Sequence, residues 1–600
     1  MRHSSPSKAL KVTNRLPMHI TRCSFVLWLS LTAGMATAEE IRPDFVTDHD
    51  PDIRPPASVI VFPERLKRLW LEALARPEAD MQRMTAEAIV RAHAKGMKDL
   101  EEAIPRLAQI LTATDSHPAA RLAAAQALVA LHAKEAAPQM AESASTFGAD
   151  VRQLVEPALA DWRYEPMHAV WLARLQSAKT PRRNLILALR SLTKAGSPSD
   201  VVELLKIVHD QFRTADVRIE AASAAGMLQT EGLEADANQL LNSPEGTGMV
   251  NRLCAMRLLV KHTSSKAQVL LEDEAVDTEP AVAVIALTRL LEISPKRVLP
   301  LVKRLLTNAD PKIRKCGVDA CVLSPTPERI VMLAGLLDDP HPAVRRAVCQ
   351  SLYDLAKRAE FDGPVRQAAT DILSGEKWRG LEQAALLLGA LDHKPAAGRL
   401  VQLLDFARIE VGFAAAWGLK KLALPETLPA MLDKATRQTE IRLKPVRVPA
   451  GLDEQTAQLC EAFGQMKYAP AESLLAQYIP KNDAMGVHSR TAAIWSLGML
   501  HEGIPDEALA QKLYARATDD SPSPPMELGP VREMSAITIG RMKAVSQAAA
   551  LRQYIGSMIP ASRLGMAIRW ALIELTGEPI SVPDAVPIKS TGWFLEPIEE

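Results

Sequence analysis

Apolar residues recur at helical spacing along most of this 600-residue chain. In the stretch 343–352, Val344, Ala347, Val348 and Leu352 follow the three- and four-residue spacing that places side chains on one face of an α-helix. Residues 327–337 have a similar pattern, and the intervening Asp and Pro residues favour the start of a new helix. The pattern predicts a helix pair with one shared apolar face.

This helix pair recurs at a nearly fixed period. Equivalent positions are separated by 31, 31, 35, 33, 32, 31 and 31 residues, and they lie at 120, 151, 182, 217, 250, 282, 313 and 344. Such a period is typical of solenoids, in which stacking completes a core that one helix pair cannot form alone. We therefore predict an all-α, right-handed α-solenoid (an armadillo-like superhelix) of about fifteen helix pairs over residues 64–576.

Three segments show a family resemblance: Asp-Pro-Lys-Ile-Arg at 310–314, Asp-Pro-His-Pro-Ala-Val-Arg-Arg-Ala at 339–347 and Ala-Asp-Val-Arg-Ile-Glu-Ala-Ala at 215–222. They resemble HEAT repeats, most closely the short HEAT-like type also found in phycobilisome lyases. The resemblance covers roughly residues 65–576 and is strongest between 110 and 420. Tetratricopeptide repeats are the structural alternative, but their Trp, Gly and Tyr spacing is absent. The resemblance implies the fold and gives little information on function.

The period loosens in the last third of the chain. From residue 389 onward, the glycines that end helices lie 29, 46, 34 and 42 residues apart, which indicates insertions near 438–453 and 518–530. The first insertion alternates apolar and basic residues and is predicted to be an extended arm or a small β-hairpin. Its Arg442, Lys444 and Arg447 are candidate contacts for a partner, because insertions in solenoids usually map to one face; a solvated loop is the alternative.

Residues 1–38 have the features of an export signal. A basic stretch without acidic residues precedes an apolar run at 24–35, and Ala36-Thr37-Ala38 matches the small-residue cleavage rule. Met18 is a possible true start. The alternative is a membrane anchor, but the run is shorter than the ~20 residues that a spanning helix needs. The sequence therefore predicts an exported protein, periplasmic or extracellular, with no transmembrane segment in the mature chain.

Two Pro-rich segments flank the predicted solenoid. Residues 39–63 are predicted to form an extended or loosely ordered spacer. The C-terminal tail, residues 577–600, is predicted to leave the solenoid and to lie on a surface or stay mobile.

Composition supports tightly packed helices. Hydrophobic residues make up 48% of the chain and aromatic residues 4%, so the core consists mainly of Leu, Ala, Val, Ile and Met. Without residues 1–38, the chain has 66 basic and 71 acidic residues, a net charge of −5, which argues against a nucleic-acid partner. Cys23 would leave with the signal, and the other five cysteines are interpreted as small core residues; one disulfide between neighbouring repeats is the alternative.

Motifs with a catalytic mechanism are absent from the sequence. There is no nucleophile elbow, phosphate loop, dinucleotide fingerprint or haem-attachment motif, and the thirteen histidines lack metal-ligand spacing. We therefore predict no catalytic, cofactor or metal site.

Two recurring residue types need an interpretation. The arginines of the Val-Arg pairs are interpreted as a ladder between repeats, each pairing with an Asp such as Asp216, Asp310 or Asp339; a row of anion-binding arginines on the concave face is the alternative. Four tryptophans in helical runs are interpreted as core residues in preference to binding platforms: Trp378, Trp417, Trp495 and Trp570.

Together these features predict an exported scaffold that binds a protein partner along the concave face of the solenoid. One alternative is an enzyme on a HEAT-like fold, resembling either the lyases that attach bilins or the glycosylases that remove alkylated bases from DNA. The export signal and the acidic mature chain argue against both enzymes. The other alternative is a purely structural component of an envelope or secretion complex.

Overall fold

The computed structural model describes residues 40–54, 56–243, 248–444, 451–482, 484–522, 524–556, 562–581 and 585–597. The predicted export signal and Arg447 lie outside the described residues. Residues 41–600 form one compact unit.

Helix pairs follow one another along the described part of residues 66–576. The first eight pairs consist of α1 (Leu66–Leu74), α2 (Ala79–Ala94), α3 (Ile104–Thr112), α4 (Pro118–Ala130), α5 (Ala137–Thr146), α6 (Ala149–Asp161), α7 (Pro166–Gln176), α8 (Arg182–Ala195), α9 (Val201–His209), α10 (Ala215–Leu228), α11 (Glu234–Leu241), α12 (Met249–Leu258), α13 (Ser265–Glu274), α14 (Pro280–Ile293), α15 (Pro295–Val298), α16 (Val302–Leu306) and α17 (Pro311–Leu323). In the eighth pair a short 3-10 turn splits the first helix into α15 and α16.

The remaining pairs consist of α18 (Pro327–Gly335), α19 (Pro342–Ala356), α20 (Ala359–Leu373), α21 (Trp378–Ala390), α22 (Ala397–Leu403), α23 (Ile409–Leu422), α24 (Leu428–Arg442), α25 (Leu452–Gln465), α26 (Glu472–Ala476), α27 (Val487–Leu500), α28 (Glu507–Ala517), α29 (Gly529–Arg541), α30 (Ala548–Ile555) and α31 (Arg563–Thr576). The described residues thus hold fifteen helix pairs. The predicted all-α solenoid is confirmed.

Local sequence explains where the helices begin. Asp310 caps α17 by accepting hydrogen bonds from the backbone N–H groups of Lys312 and Ile313, at 2.7 and 3.3 Å. Thr326 caps α18 in the same way, and a proline follows each cap, at the first helical position, where it loses no hydrogen bond. A cap of this kind stabilises a helix by about 1 kcal/mol.

Small residues allow the second helices of neighbouring pairs to pack backbone against backbone. A Cβ atom on Gly389 of α21 would lie 2.8 Å from the Cα of Gly418 in α23. At Gly540 of α29 it would lie 2.6 Å from the Cα of Ala571 in α31. Buried apolar residues form one continuous core from Leu66 to Trp593. The surface formed by the second helices is called the second-helix face below.

The arginines of the Val-Arg pairs are held in two ways. Arg314 binds the Asp339 carboxylate in the next turn at 2.6 and 2.7 Å, as the ladder predicts. Arg121 instead donates to the carbonyl of Ala113 at the end of the preceding helix. Because the last carbonyls of a helix lack intrahelical donors, a nearby guanidinium can satisfy them.

The predicted extended arm is wrong for residues 438–442. These residues belong to α24, which continues to Arg442, and α25 begins at Leu452. The alternation of apolar and basic residues therefore starts within the last turn of a helix, and residues 445–450 lie outside the described residues. The second insertion, predicted near 518–530, corresponds to the connection 518–528 between α28 and α29, which has no helix in its described part.

The two ends of residues 41–600 are joined by strands. Strand β1 (Ala57–Val61) pairs in parallel with β2 (Ala585–Lys589), in the register Ala57↔Ala585 to Val61↔Lys589. The C-terminal tail then packs on the first helix pair, where the indole N–H of Trp70 donates to the carbonyl of Phe594 at 2.7 Å. The tail therefore leaves the last repeat and contacts the first.

Candidate functional site

Buried polar side chains are concentrated on four neighbouring second helices. The buried polar residues of α23, α25, α27 and α29 are Lys420, Gln455, Thr456, Gln458, Glu461, Ser489, Arg490, Thr491, Ser496, Ser535, Thr538 and Arg541. Buried polar groups require hydrogen-bond partners. Several of these partners belong to residues 41–50, which we call the N-terminal segment.

The N-terminal segment crosses the second-helix face in the order in which the repeats are stacked. The backbone N–H of Ile41 donates to Gln350 Oε1 on α19 at 2.9 Å. Asp44 contacts α23, Thr47 contacts α25, and Asp50 contacts α27 and α29. The segment has one short 3-10 turn, Val46–Asp48. The predicted spacer thus has a defined place in a groove between α19 and α29.

Asp44 lies in the first of two carboxylate sites. Its Oδ1 accepts a hydrogen bond from Trp417 Nε1 at 2.9 Å and lies 3.3 Å from Lys421 Nζ. Its backbone carbonyl accepts from Lys420 Nζ and Gln458 Nε2, both at 3.0 Å. Burial is the largest influence and raises the pKa of Asp44, but the Trp417 hydrogen bond and the two lysines together lower it below its usual value. We call this group of residues the first socket.

Asp50 lies in an equivalent site two repeats further on. Its Oδ2 accepts from Trp495 Nε1 at 2.7 Å, and its Oδ1 accepts from Arg541 Nη2 at 2.9 Å. Trp417 and Trp495 are each the ninth residue of their helices, so they occupy equivalent positions on α23 and α27. Hydrogen bonds between a cation and a carboxylate are about twice as strong as neutral ones. We call Trp495 and Arg541 the second socket.

A buried ion pair lies between the sockets. Lys420 Nζ is 2.7 Å from Glu461 Oε2, and the two side chains are 2% and 0% exposed. Glu461 Oε1 also accepts from the backbone N–H and the hydroxyl of Thr47, at 3.2 and 3.4 Å. Burial raises the pKa of Glu461, although Lys420 opposes this shift. Nearby, the ring of Phe45 stacks on His488 at a centroid distance of 4.7 Å.

Two buried polar atoms in the groove have no hydrogen-bond partner among the described residues. They are Gln458 Oε1 and Arg541 Nη1. Gln458 is fully buried and Arg541 is 8% exposed. Each residue uses another atom to hold the N-terminal segment. The N-terminal segment therefore supplies hydrogen-bond partners to only some of the buried polar atoms of the groove.

Of the candidate residues of the predicted arm, the two that the structure describes, Arg442 and Lys444, do not belong to this site. Arg442 is buried and lies 3.4 Å from both Asp453 Oδ1 and Ser489 Oγ, so it is held within the solenoid. Lys444 is exposed, and Arg447 lies outside the described residues. A contact of Lys444 or Arg447 with a partner stays a prediction.

The groove joins two features that the sequence shows separately, the tryptophans of the helices and the spacer. Trp417 and Trp495 are buried, as core residues are, but their indole N–H groups hold Asp44 and Asp50. Two signals were available in the sequence: tryptophans at equivalent helix positions, and an acidic segment with aspartates six residues apart.

The described residues contain no cluster of His, Cys, Asp and Glu that could hold a metal ion. None of the described helices is long and apolar enough to cross a membrane. The five described cysteines are buried and unpaired. The groove offers hydrogen-bond donors, cations and one acceptor carboxylate, arranged along a peptide segment with a single 3-10 turn.

Comparisons with known proteins agree with the fold. A family model described as HEAT repeats matches residues 268–355, which confirms the resemblance to these repeats. The similarity to the repeats of phycobilisome lyases stays a prediction. No curated protein is detectably similar to the chain in sequence.

Solved structures of importins are similar in fold. The Kap95:Nup1 complex has a TM-score of 0.51 and 12% identity, covering 86% of this chain and 72% of the other. Importin beta crystallised in ammonium sulfate has a TM-score of 0.48 and 14% identity, covering 85% and 72%. Yeast importin-beta has a TM-score of 0.48 and 12% identity, covering 86% and 72%. At 12% identity, the similarity to the Kap95:Nup1 complex shows a solenoid fold and no more.

Proposed function

We propose that this HEAT-repeat solenoid is a scaffold that binds a partner protein along the second-helix face between α19 and α29. The observation behind the proposal is the N-terminal segment, a stretch of peptide with a single 3-10 turn that the groove already holds. A solved structure of the same fold is a complex, that of Kap95 with Nup1, which supports the use of this fold for protein binding. The chain then acts by binding, without a catalytic step.

The chemistry of the groove suits a polypeptide ligand. Lys420 and Gln458 bind a backbone carbonyl, and Glu461 binds a backbone N–H group. Every peptide offers these backbone groups, whereas the two sockets select for carboxylates. Hydrogen bonds to charged groups contribute about 1.5–3 kcal/mol each, so two filled sockets stabilise a bound segment appreciably.

The location of the protein is part of the proposal. Residues 1–38 support export to the periplasm or beyond the cell, because they combine a basic stretch, an apolar run and a small-residue cleavage site. Sequencing the N-terminus of the mature protein from fractionated cells tests this. A chain that starts at Glu39 and is absent from the cytoplasm is expected, and a cytoplasmic chain that retains residues 1–38 would contradict export.

Photo-crosslinking in the source cells tests the scaffold and its interface. A photoreactive amino acid replaces Lys421, which is 40% exposed at the first socket. The control replaces Val331, which is 62% exposed on the first helix of the ninth pair. We expect a higher-mass adduct with another protein from position 421 and none from position 331. An adduct from position 331 alone would place the interface elsewhere, and no adduct from either position would contradict the scaffold.

A further inference from the structure

We infer that residues 41–50 are an internal ligand that a partner displaces, and that the displacing segment is acidic, with two carboxylates six residues apart and a backbone or hydroxyl donor midway between them. This inference rests on the proposed function, because it assigns the chemistry of the ligand at the same face. The occupant is a partner protein that presents such a segment.

The spacing follows from the positions of the sockets. Asp44 and Asp50 are the two residues of the N-terminal segment whose carboxylates contact an indole N–H group and a cation. Thr47 lies midway and donates twice to Glu461. Because the sockets are fixed on α23 and on α27 with α29, a competing segment must present its carboxylates at the same separation.

The charge of the groove selects the class of ligand. Lys421 and Arg541 both face aspartates, and the Glu461 carboxylate is already compensated by Lys420. The groove therefore presents a net positive charge to a bound segment. An acidic segment is favoured by this arrangement, and a basic one would place like charges together.

The internal ligand fits the groove incompletely. Gln458 Oε1 and Arg541 Nη1 are buried and unpaired among the described residues, although both residues touch the segment through other atoms. An unpaired buried polar atom is unfavourable, so a segment that supplies a donor to Gln458 and an acceptor to Arg541 would bind more tightly than residues 41–50. This difference allows a partner to displace a ligand that belongs to the chain itself.

Displacement has a quantitative consequence. A tethered ligand acts at an effective concentration of roughly millimolar when its linker matches the span. The apparent affinity for a free segment is reduced by the fraction of chains whose groove is empty. A chain whose internal ligand is weakened should therefore bind a free copy of that ligand more tightly than the wild-type chain does.

The test uses the full chain and a fluorescent synthetic peptide with the sequence of residues 40–54. Binding is measured by fluorescence anisotropy to the wild-type chain, to D44A/D50A and to D48A/D52A. The control pair removes the same charge from Asp48 and Asp52, which are exposed and do not contact the sockets. We expect D44A/D50A to bind on the order of 10–100-fold more tightly than the wild type, and D48A/D52A to match the wild type.

Two further reagents keep the test decisive. The D44N/D50N chain preserves the shape of both side chains and should bind the peptide with the same gain in affinity. It replaces D44A/D50A if that variant is unstable. A peptide with asparagine in place of Asp44 and Asp50 should bind the D44A/D50A chain at least about tenfold more weakly than the original peptide does. Equal binding of both peptides would mean that the sockets do not select carboxylates and would overturn the inference.

The remaining outcomes are equally clear. If the peptide binds neither D44A/D50A nor D44N/D50N, or binds the wild type as tightly as it binds these variants, residues 41–50 are a fixed structural strap and the inference is wrong. That result would leave the proposed scaffold standing, because the scaffold is tested separately by the crosslinked adduct at position 421. Conversely, tight peptide binding without any adduct in cells would support the chemistry of the groove and contradict the scaffold.

Discussion

Replacing Lys420 with methionine would leave the carboxylate of Glu461 buried without its cation. The two groups are 2.7 Å apart and almost completely shielded from water. Thr47 would continue to donate to Glu461, but neutral hydrogen bonds do not replace a positive charge. Removing one partner of a buried ion pair typically lowers the free energy of unfolding by about 3–5 kcal/mol. We expect a loss of this size for Lys420→Met at neutral pH.

The loss should depend on pH. Burial already raises the pKa of Glu461 above its ordinary 4.5, and the lysine that opposes this shift would be gone. A carboxyl group whose pKa is higher in the folded than in the unfolded state binds its proton more tightly when folded. Protonation therefore stabilises the folded variant as the pH falls from neutral toward 4.5, and this stabilisation is lost as the pH rises. The difference from wild type should shrink on acidification.

The assay combines urea unfolding with amide hydrogen exchange, because neighbouring repeats of a solenoid can unfold without the rest. Exchange should increase most in α23 and α25, which carry the pair. Lys420→Met/Glu461→Gln should recover most of the lost stability, since it removes the uncompensated charge. The control is Lys434→Met, which breaks an ion pair with the half-exposed Asp405 and should change stability by no more than about 1 kcal/mol.

Two results would refute this reasoning. The first is a Lys420→Met variant as stable as the Lys434→Met control at neutral pH. The second is a loss of stability that stays constant between neutral pH and 4.5, because the titration of Glu461 would then play no part.

Three other predictions concern packing and thiol chemistry. Gly464→Ala should lower the free energy of unfolding by about 1–3 kcal/mol, since its Cβ would lie 2.6 Å from the Trp495 ring. The control Gly398→Ala has open space around the new Cβ and should leave the melting temperature unchanged or higher. A Gly398→Ala variant less stable than Gly464→Ala would contradict the packing. Val344→Asp should abolish exchange protection in repeats eight to ten, because Val344 is 2% exposed and a charge there has no partner; a melting curve like that of the wild type would contradict the repeat alignment. The described cysteines should resist alkylation in the folded protein near neutral pH and react after denaturation. The reason is burial, which raises their pKa to about 11 for Cys254, Cys316 and Cys321, to about 12 for Cys349, and higher still for Cys460. Alkylation is measured by mass spectrometry, and labelled cysteines in the folded protein would contradict the prediction.

The solenoid could be predicted because its determinants are local. A cap such as Asp310 and the apolar stripe around Val344 lie within one repeat, and the period of about 31–35 residues exposes their recurrence. The predicted number of helix pairs agrees with the fifteen among the described residues. Local reasoning failed at residues 438–442, where an alternating pattern coincided with the last turn of α24.

The two signals in the sequence do not by themselves locate the groove, because its contacts span most of the chain. Asp44 binds Trp417 across 373 positions, and Asp50 binds Arg541 across 491. Nothing within a Pro- and Asp-rich stretch reveals a partner so distant, and composition alone describes such a stretch as a linker. Only the stacking of the repeats places the sockets where the segment can reach both.

The same separation in sequence sets the order in which the parts of the groove are synthesised on the ribosome. At about 5–20 residues per second, roughly 25–100 s pass between the synthesis of Asp50 and that of Arg541. During this time each new repeat can fold on its predecessor, since its contacts are local. Asp44 can bind as soon as α23 and α25 exist, whereas Asp50 must wait for α29. The second socket is therefore the last part of the groove to be completed.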